Sequence, residues 1–284
     1  MRDVGFIRKL ARRLRAAARR SHHISAFATS VLMAAASPAI AECRLSLALG
    51  LDVSGSVDSG EYRLQLDGLA AALLHPDVQA SLFALPAVPV QIAVFEWSDP
   101  LHQHLLLDWV LLNDRAALDR VVETLRNTRR HSAPPSTALG TAMQTGAALL
   151  ANGPRCWKRT LDLSGDGKHN TGPHPRDVRR TLENAGLTIN ALVVGADAPA
   201  SGDIRQAEIG ALSSYFNAWV ITGPDAFVET ALGFQEFEAA MVRKLKRELE
   251  SPVLSSLRRS NPVQINRYTG FDQSSTARHV STTK

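Results

Sequence analysis

The sequence predicts an α/β fold, namely a doubly wound, mostly parallel six-stranded sheet with one antiparallel edge strand and helices on both faces. Short apolar runs bounded by turn residues, such as residues 45–51 and 187–194, are typical of buried parallel strands. Segments with apolar residues at helical spacing alternate with these runs. This alternation predicts helices that cover both faces of the sheet.

The strands are predicted, in chain order, at residues 45–51, 88–97, 103–111, 158–163, 187–194 and 218–221. The turn Ser98-Asp99-Pro100 joins the second and third strands, so these two are expected to form a hairpin. The third strand is therefore the antiparallel edge strand of the predicted sheet.

Helices are predicted at residues 61–74, 115–128, 137–151, 177–185, 203–213 and 224–249. The first carries Leu64, Leu66, Leu69 and Leu73 at helical spacing. The last is expected to bury one face made of Phe227, Leu232, Phe234, Phe237, Met241 and Leu245. We interpret Trp97 and Trp157, which flank strands, as packing residues.

The first 41 residues have the layout of a secretory signal peptide. A long arginine-rich region precedes an uncharged run at residues 24–41, which ends in Ser37-Pro38-Ala39-Ile40-Ala41, a small-x-small cleavage site before Glu42. The alternative is an uncleaved membrane anchor, but a run of about eighteen residues interrupted by Pro38 is marginal for crossing a bilayer. We expect a periplasmic or secreted protein with no membrane association after cleavage.

The chain carries its positive charge at its two ends. The formal net charge of +5 includes eight Lys or Arg against one acid in residues 1–41, and five against one in residues 251–284. Residues 42–250 hold 19 basic and 25 acidic residues, a net charge of −6. This acidic domain is not expected to bind nucleic acid. The aperiodic tail at residues 251–284, rich in Ser, Thr, Asn and Arg, is predicted to be disordered.

Three polar segments follow predicted strands or begin a predicted helix. They are Asp52-Val53-Ser54-Gly55-Ser56, Thr137 within residues 136–141, and Asp166 within Ser164-Gly165-Asp166-Gly167. Ligands of open α/β sheets bind beyond the carboxyl ends of the strands, where the strand order reverses. Hydroxyl and carboxylate oxygens are hard ligands that suit Mg²⁺ or Mn²⁺. The pattern therefore predicts a divalent-metal site.

These segments, in this order, resemble the metal-ion-dependent adhesion site of von Willebrand factor type A domains, over about residues 44–249. More narrowly, the signal peptide, Cys43 and the Ser-Gly-Asp-Gly segment followed by Asn170 resemble an exported bacterial branch catalogued as domain of unknown function 1194. The resemblance implies that Ser54, Ser56 and Thr137 bind the ion directly when a partner is bound, whereas Asp52 and Asp166 act mainly through water. The third loop reads Gly-Asp-Gly where many relatives have Thr-Asp-Gly.

Cys43 and Cys156 are expected to form a disulfide, because exported proteins fold in an oxidising compartment. Cys43 lies nine residues before Asp52, and Cys156 lies ten residues before Asp166. If the two Asp-ended strands are neighbours, both cysteines lie at their opposite end, within disulfide distance. Lipid attachment to Cys43 is the alternative, and Glu42 argues against it.

The function expected from these features is capture of an acidic protein partner, whose carboxylate completes the coordination of the ion, by a monomeric, non-catalytic domain. A Mg²⁺-dependent phosphohydrolase with Asp52 as nucleophile is the alternative, and the sequence offers only Lys168 as a nearby cation. No Gly-x-Ser-x-Gly elbow is present, which excludes the usual serine hydrolase. His102, His104, His131, His169 and His174 lack the spacing of a zinc finger.

Overall fold

The structure is a computed structural model that describes residues 43–195 and 202–250. The predicted signal peptide, its cleavage after Ala41 and the predicted disordered tail lie outside these residues. The strands are β1 (Cys43–Asp52), β2 (Val90–Trp97), β3 (Gln103–Leu112), β4 (Cys156–Gly165), β5 (Thr188–Val194) and β6 (Val228–Ala231). The helices are α1 (Ser59–Leu74), α2 (Pro76–Leu82), α3 (Arg115–Asn127), α4 (Leu139–Asn152), α5 (Pro175–Leu182), α6 (Gly202–Trp219) and α7 (Phe237–Leu249), with a 3₁₀ turn at Phe234–Glu236.

The six strands form one sheet in the order β3-β2-β1-β4-β5-β6. All neighbouring strands are parallel except β2 and β3, which pair antiparallel as the predicted edge hairpin. The chain winds outward from β1 in both directions, so the strand order reverses between β1 and β4. The predicted fold class is confirmed.

β1 is buried along its whole length because helices pack on both faces of the sheet. Leu45, Leu47, Leu49 and Leu51 point to the face that is covered by α1, α3 and α7. Ala48 points to the other face, where α4 and α6 pack. This alternation explains why β1 reads as a continuous apolar run in the sequence.

The prediction for the last part of the chain was wrong in two places. Residues 218–221 are not a strand, because Ala218 and Trp219 end α6, and Phe216 and Val220 continue its buried face at helical spacing. The sixth strand lies later, at Val228–Ala231. The predicted helix at residues 224–249 therefore begins only at Phe237.

Most of the predicted aromatic core at residues 227–245 is buried, although it does not form one helix. Leu232 is the exception, with 42% of its surface exposed. Trp97 is buried as predicted, whereas Trp157 is 56% exposed and is not a packing residue. The sequence reading also missed α2, which His75 caps through its ring nitrogen and which begins with Pro76 at a favourable first position.

Cys43 and Cys156 form the predicted disulfide, and they are paired residues of the neighbouring strands β1 and β4. Their Cα atoms lie 4.6 Å apart, which adjacent strands provide without distortion. The bond links positions 113 residues apart in the chain.

A buried charge cluster joins the sheet to α7 at its centre. Lys244 Nζ lies 2.9 Å from Asp162 Oδ1 and 2.6 Å from Glu248 Oε1, and all three side chains are buried. Asn190 also donates to Glu248 Oε1, at 2.8 Å. Burial and the nearby Glu248 charge raise the pKa of Asp162 to about 7.

Across residues 43–195 and 202–250, no helix is long and apolar enough to span a membrane.

Loss of the disulfide should destabilise the domain. Closure of so long a loop contributes on the order of 4–5 kcal/mol in the chain-entropy model, so dithiothreitol should lower the free energy of unfolding of the oxidised protein by up to that amount. Urea titration with and without reductant measures it. The Cys43→Ser/Cys156→Ser protein is the control, since its stability should not respond to dithiothreitol, and an equally unresponsive wild type would contradict the bond.

Lys244→Met should destabilise the protein by roughly 3–5 kcal/mol, because it leaves two buried carboxylates without a cation. Lys246→Met is a matched control on the same helix: Lys246 pairs with Asp77 at the surface, and such pairs contribute at most about 1 kcal/mol. Chemical unfolding of both variants tests the difference. Similar losses of stability in the two proteins would show that the buried charge cluster stabilises the protein no more than a surface ion pair does.

Candidate metal centre

The first predicted loop begins where β1 ends. Asp52 is 1% exposed, and its Oδ1 accepts the backbone N–H of Ser54 at 2.8 Å. This turn leaves Asp52 Oδ2 buried and without a hydrogen-bond partner among the described residues. Gly55 lies against Pro135, where a Cβ atom would approach the proline Cβ to 2.6 Å, so only glycine fits here.

The hydroxyl groups of this loop reach the carboxylate of the third loop. Ser54 Oγ lies 3.2 Å from Ser56 Oγ, and Ser56 Oγ donates to Asp166 Oδ1 at 2.7 Å. Gly165 lies close to Asp52, since a Cβ atom on Gly165 would lie 3.3 Å from Asp52 Oδ2. This close approach places the next residue, Asp166, near enough for its charge to act on Asp52. The two loops thus bring two carboxylates and two hydroxyls together.

The Thr137 loop is held against the third loop by an asparagine. Thr137 N donates to Asn170 Oδ1 at 2.8 Å, and Asn170 N donates to Thr137 O at 3.1 Å. A Cβ atom on Gly167 would lie 3.8 Å from Thr137 Oγ1, so the threonine hydroxyl lies beside the turn that carries Asp166. The structure therefore brings all five predicted ligand residues to one end of the sheet; that they bind a metal remains a prediction.

Supporting residues fix the backbone beneath these loops, and the sequence reading missed their role. Gln65 Nε2 donates to the carbonyl oxygen of Asp52 at 2.8 Å, and Gln65 Oε1 accepts from Ser164 Oγ at 3.1 Å. Gln65 is a buried polar residue on the apolar face of α1, and this position is the sequence signal that could have found it. Asn170 was noted in the sequence only as part of a motif, and the structure shows that it holds the Thr137 loop through two hydrogen bonds.

The site concentrates negative charge in a buried place. Burial and the charge of Asp166 raise the pKa of Asp52 to about 8, although the Ser54 N–H opposes the rise. Burial also raises the pKa of Asp166. Among the described residues no basic side chain forms a salt bridge with either carboxylate, in contrast to Asp162 and its Lys244 partner.

Metal sites made of His, Cys and carboxylates are absent from the described residues, where no group of three such side chains is placed to hold an ion. Any ion at the candidate centre would therefore need hydroxyl ligands. The rings of His169 and His174 are in contact, with their centroids 5.3 Å apart. Burial lowers the pKa of His169, and the nearby His174 lowers it further. The pair has no third ligand of these types.

A hollow of about 310 Å³ opens beside Asp166, between the ends of β4 and β5 and helix α6. Val194, Ile209 and Leu212 form its apolar wall, and Lys168 and Glu208 stand at its rim. The hollow and the candidate centre share Asp166, so a bound partner could contact both.

The sheet order and the edge hairpin are those of the von Willebrand factor type A fold. The chain belongs to the family described as Protein of unknown function (DUF1194), whose model matches residues 42–253. The predicted fold and the predicted family are therefore confirmed, whereas metal binding at the adhesion-site residues stays a prediction. A sequence comparison with curated proteins gave no match.

Solved structures support the fold. The structure of proximal thread matrix protein 1 from the mussel byssus is 17% identical, covers 75% of this chain and 48% of its own, and superimposes with a TM-score of 0.51. A second structure of it, described as having a zinc-occupied MIDAS motif, is 16% identical over 73% and 46%, with a TM-score of 0.50. A von Willebrand factor type A protein from Catenulispora acidiphila is 13% identical over 73% and 43%, with a TM-score of 0.50. The chain spans about half the length of these proteins.

The metal-free protein should lose stability as the pH rises. Because the folded-state pKa of Asp52 is about 8, against an ordinary value of 3.8, the folded protein binds more protons than the unfolded chain between these values. The free energy of unfolding should therefore fall through this interval, by at most about 1.4 kcal/mol per pH unit for one group. Urea unfolding in EDTA, from pH 5 to pH 8, measures the slope.

The Asp52→Asn protein should show a shallower slope and be the more stable of the two at pH 8. The matched control is Asp119→Asn, which removes an exposed carboxylate on α3 and should retain the wild-type slope. The contribution of Asp162 is common to all three proteins. Equal slopes for wild type and Asp52→Asn would show that the pKa of Asp52 is not raised in the folded protein.

Proposed function

We propose that the chain is an exported, non-catalytic binding module that holds a divalent cation at the candidate centre and uses it to capture a carboxylate of an acidic protein partner. The observation that carries the proposal is the pair of a buried Asp52 and a partly buried Asp166, joined by serine hydroxyls and without a basic partner among the described residues. Burial of unpaired charge is costly, so such a pair favours a cation from solution.

The residues present fit a hard divalent ion. Asp52, Ser54, Ser56, Thr137 and Asp166 would hold it, because carboxylate and hydroxyl oxygens are the ligands that Mg²⁺ and Mn²⁺ prefer. When bound, the ion supplies an electrophilic position for an oxygen of the partner. The protein orients this ligand set itself: the Ser54 N–H fixes one oxygen of Asp52, and Asn170 fixes the Thr137 backbone.

The charge of the site makes the ion necessary for recognition of an acid. Two carboxylates repel a third, and the net charge of −6 of residues 42–250 gives no long-range attraction for it. The three hydroxyl ligands are neutral, and two carboxylates that act mainly through water offset the charge of a divalent cation only in part. The bound ion would therefore still attract one more anionic oxygen at short range.

The hollow beside Asp166 adds a second contact for the partner. A carboxylate bound at the ion would place neighbouring groups of the partner near Val194, Ile209 and Leu212. We propose that an apolar side chain next to the acidic residue enters this hollow. Lys168 at its rim would favour a partner with further negative charge.

The phosphohydrolase alternative is less well supported by this geometry. Asp52 is almost fully buried, one of its oxygens accepts the Ser54 N–H, and the other faces Gly165. A nucleophile needs an exposed oxygen. Lys168, the one nearby lysine that the sequence offered, lies with its Nζ 6.0 Å from the centre of the Tyr215 ring.

We also propose that residues 1–41 direct export and are removed, that residues 42–250 form the binding domain, and that residues 251–284 are a disordered basic tail. The disulfide supports a periplasmic or secreted location, because such bonds persist in oxidising compartments. The process that the module serves depends on its partner.

Metal and partner binding should depend on the same five residues. Calorimetric titration of Mg²⁺, Mn²⁺ and Zn²⁺ should detect binding to the wild type and none to Asp52→Ala. Ser54→Ala and Thr137→Ala should weaken metal affinity about tenfold or more, since each removes a ligand. Thr124→Ala is the matched control, because Thr124 is exposed on α3 and bonds only to its own helix.

Partner capture tests the mechanism separately. Capture from a periplasmic extract should be lost in EDTA, restored by excess Mg²⁺, and weaker for Thr137→Ala than for Thr124→Ala. Equal metal affinity in wild type and Asp52→Ala would remove the site assignment. Metal binding without any effect of EDTA on capture would leave the site standing and remove the proposed role of the ion.

A further inference from the structure

A larger cavity lies at the opposite end of the sheet from the metal centre. It measures about 660 Å³ and opens where β1, β4 and β5 begin and where α7 ends. The disulfide joins the first residues of two of these strands. The proposed metal function does not use this end of the molecule.

Four basic side chains line the cavity, namely Arg44, Lys158, Arg159 and Arg247. None of them forms a salt bridge with a carboxylate of the described residues. The cavity therefore has basic side chains on its walls that no acidic side chain of the described residues contacts directly.

Arg44 and Arg159 are held by short hydrogen bonds to backbone carbonyl oxygens, whereas Lys158 and Arg247 are held less firmly. The Arg44 guanidinium donates to the carbonyl oxygens of Ser81 and Leu82, at 2.6 and 3.0 Å, and Arg159 donates to those at residues 185 and 186. Lys158 Nζ makes only a long contact of 3.4 Å with the carbonyl oxygen of Glu248. Burial lowers the pKa of Lys158, because its ammonium has lost part of its water.

Arg247 lies over an aromatic ring rather than beside an acid. Its guanidinium carbon is 3.8 Å from the centre of the Phe227 ring, a stacked arrangement that leaves the edge of the guanidinium free for an anion. Lys158 and Arg247 are thus the two cations that are available to a ligand.

The lining also contains three acidic residues, of which Glu248 and Asp225 lie near Lys158 and raise its pKa against the effect of burial. Glu248 is already bound by Lys244 and Asn190 through the same oxygen. Asp225 and Glu250 are exposed at the rim. The lining thus holds four basic residues against three acidic ones, which leaves an excess of one positive charge at the cavity.

Apolar groups complete the walls. Leu45, Leu187 and Leu249 are buried residues that border the cavity, and Trp157 exposes 56% of its surface beside it. Concave sites of this volume, with apolar walls and a few charged groups, are typical of small-molecule binding.

We propose that this cavity binds a small organic anion that carries a carboxylate or a similar anionic group on a flat apolar body. Lys158 and Arg247 bind the anionic group, and Trp157 and the leucine wall contact the body. The site is independent of the metal centre, since the two lie at opposite ends of the parallel strands β1 and β4.

Naphthoate is a suitable probe, because it combines one carboxylate with a flat ring system. Calorimetric titration of the full chain should give saturable binding in the presence of EDTA. Naphthalene methanol, which has the same rings without the charge, and inorganic phosphate, which has charge without rings, should each bind at least tenfold more weakly. These two arms separate the contributions of charge and apolar surface.

Variants test the residues. Lys158→Gln/Arg247→Gln and Trp157→Ala should each reduce naphthoate affinity at least tenfold, and circular dichroism should show an unchanged fold. Arg176→Gln, which removes an exposed arginine on α5, should bind like the wild type. Equal affinity for naphthoate and naphthalene methanol, or wild-type affinity in the double variant, would overturn the proposal. Naphthoate binding that disappears in EDTA would place the anion at the metal centre and would also overturn it.

Discussion

The pairing of β1 with β4 is the constraint on which both ends of the domain depend. The two central strands are parallel, and their register runs from Cys43 opposite Cys156 to Gly50 opposite Leu163. The register that brings the cysteines together therefore also brings Asp52 and Asp166 together beyond the other end. A slip of one residue would turn the leucines of β1 to the wrong face, so the two cores and the disulfide enforce the geometry of the candidate centre.

Two buried carboxylates on these strands are treated differently. Asp162 of β4 is paired with Lys244, so the protein supplies its cation from α7. Asp52 of β1 accepts the N–H of Ser54, stands near Asp166 and has no basic partner among the described residues. The same fold thus satisfies one buried acid internally and leaves the other at an open edge, where loops rather than a helix cover it. This contrast distinguishes a structural charge from one that favours an external ligand.

The sequence was most informative where burial is complete and least informative at the margins of the sheet. β1 was predictable because full burial gives an apolar run, and β4 because its last six residues are buried. The candidate site was predictable because three loops carry Asp, Ser and Thr directly after strands or before a helix. β6 was missed because its four residues, Val228–Ala231, three of them partly exposed, carry little pattern. The run at residues 218–221 resembles a strand, yet Phe216 and Val220 belong to one helical face. Gln65 and Asn170 act through tertiary contacts, which local patterns do not report.

The distribution of charge makes the two ends of the domain suited to ligands of opposite charge. At the carboxyl ends of the strands, Asp52 and Asp166 lack basic partners among the described residues and favour a cation, whereas at the amino ends an excess of basic side chains favours an anion. The net charge of −6 for residues 42–250 hides this polarity, because charges farther apart than roughly 8–10 Å are largely screened in physiological salt. Recognition at either end must therefore arise from contacts within a few ångströms. For that reason the fixed register of β1 and β4, rather than overall charge, determines what each end can bind.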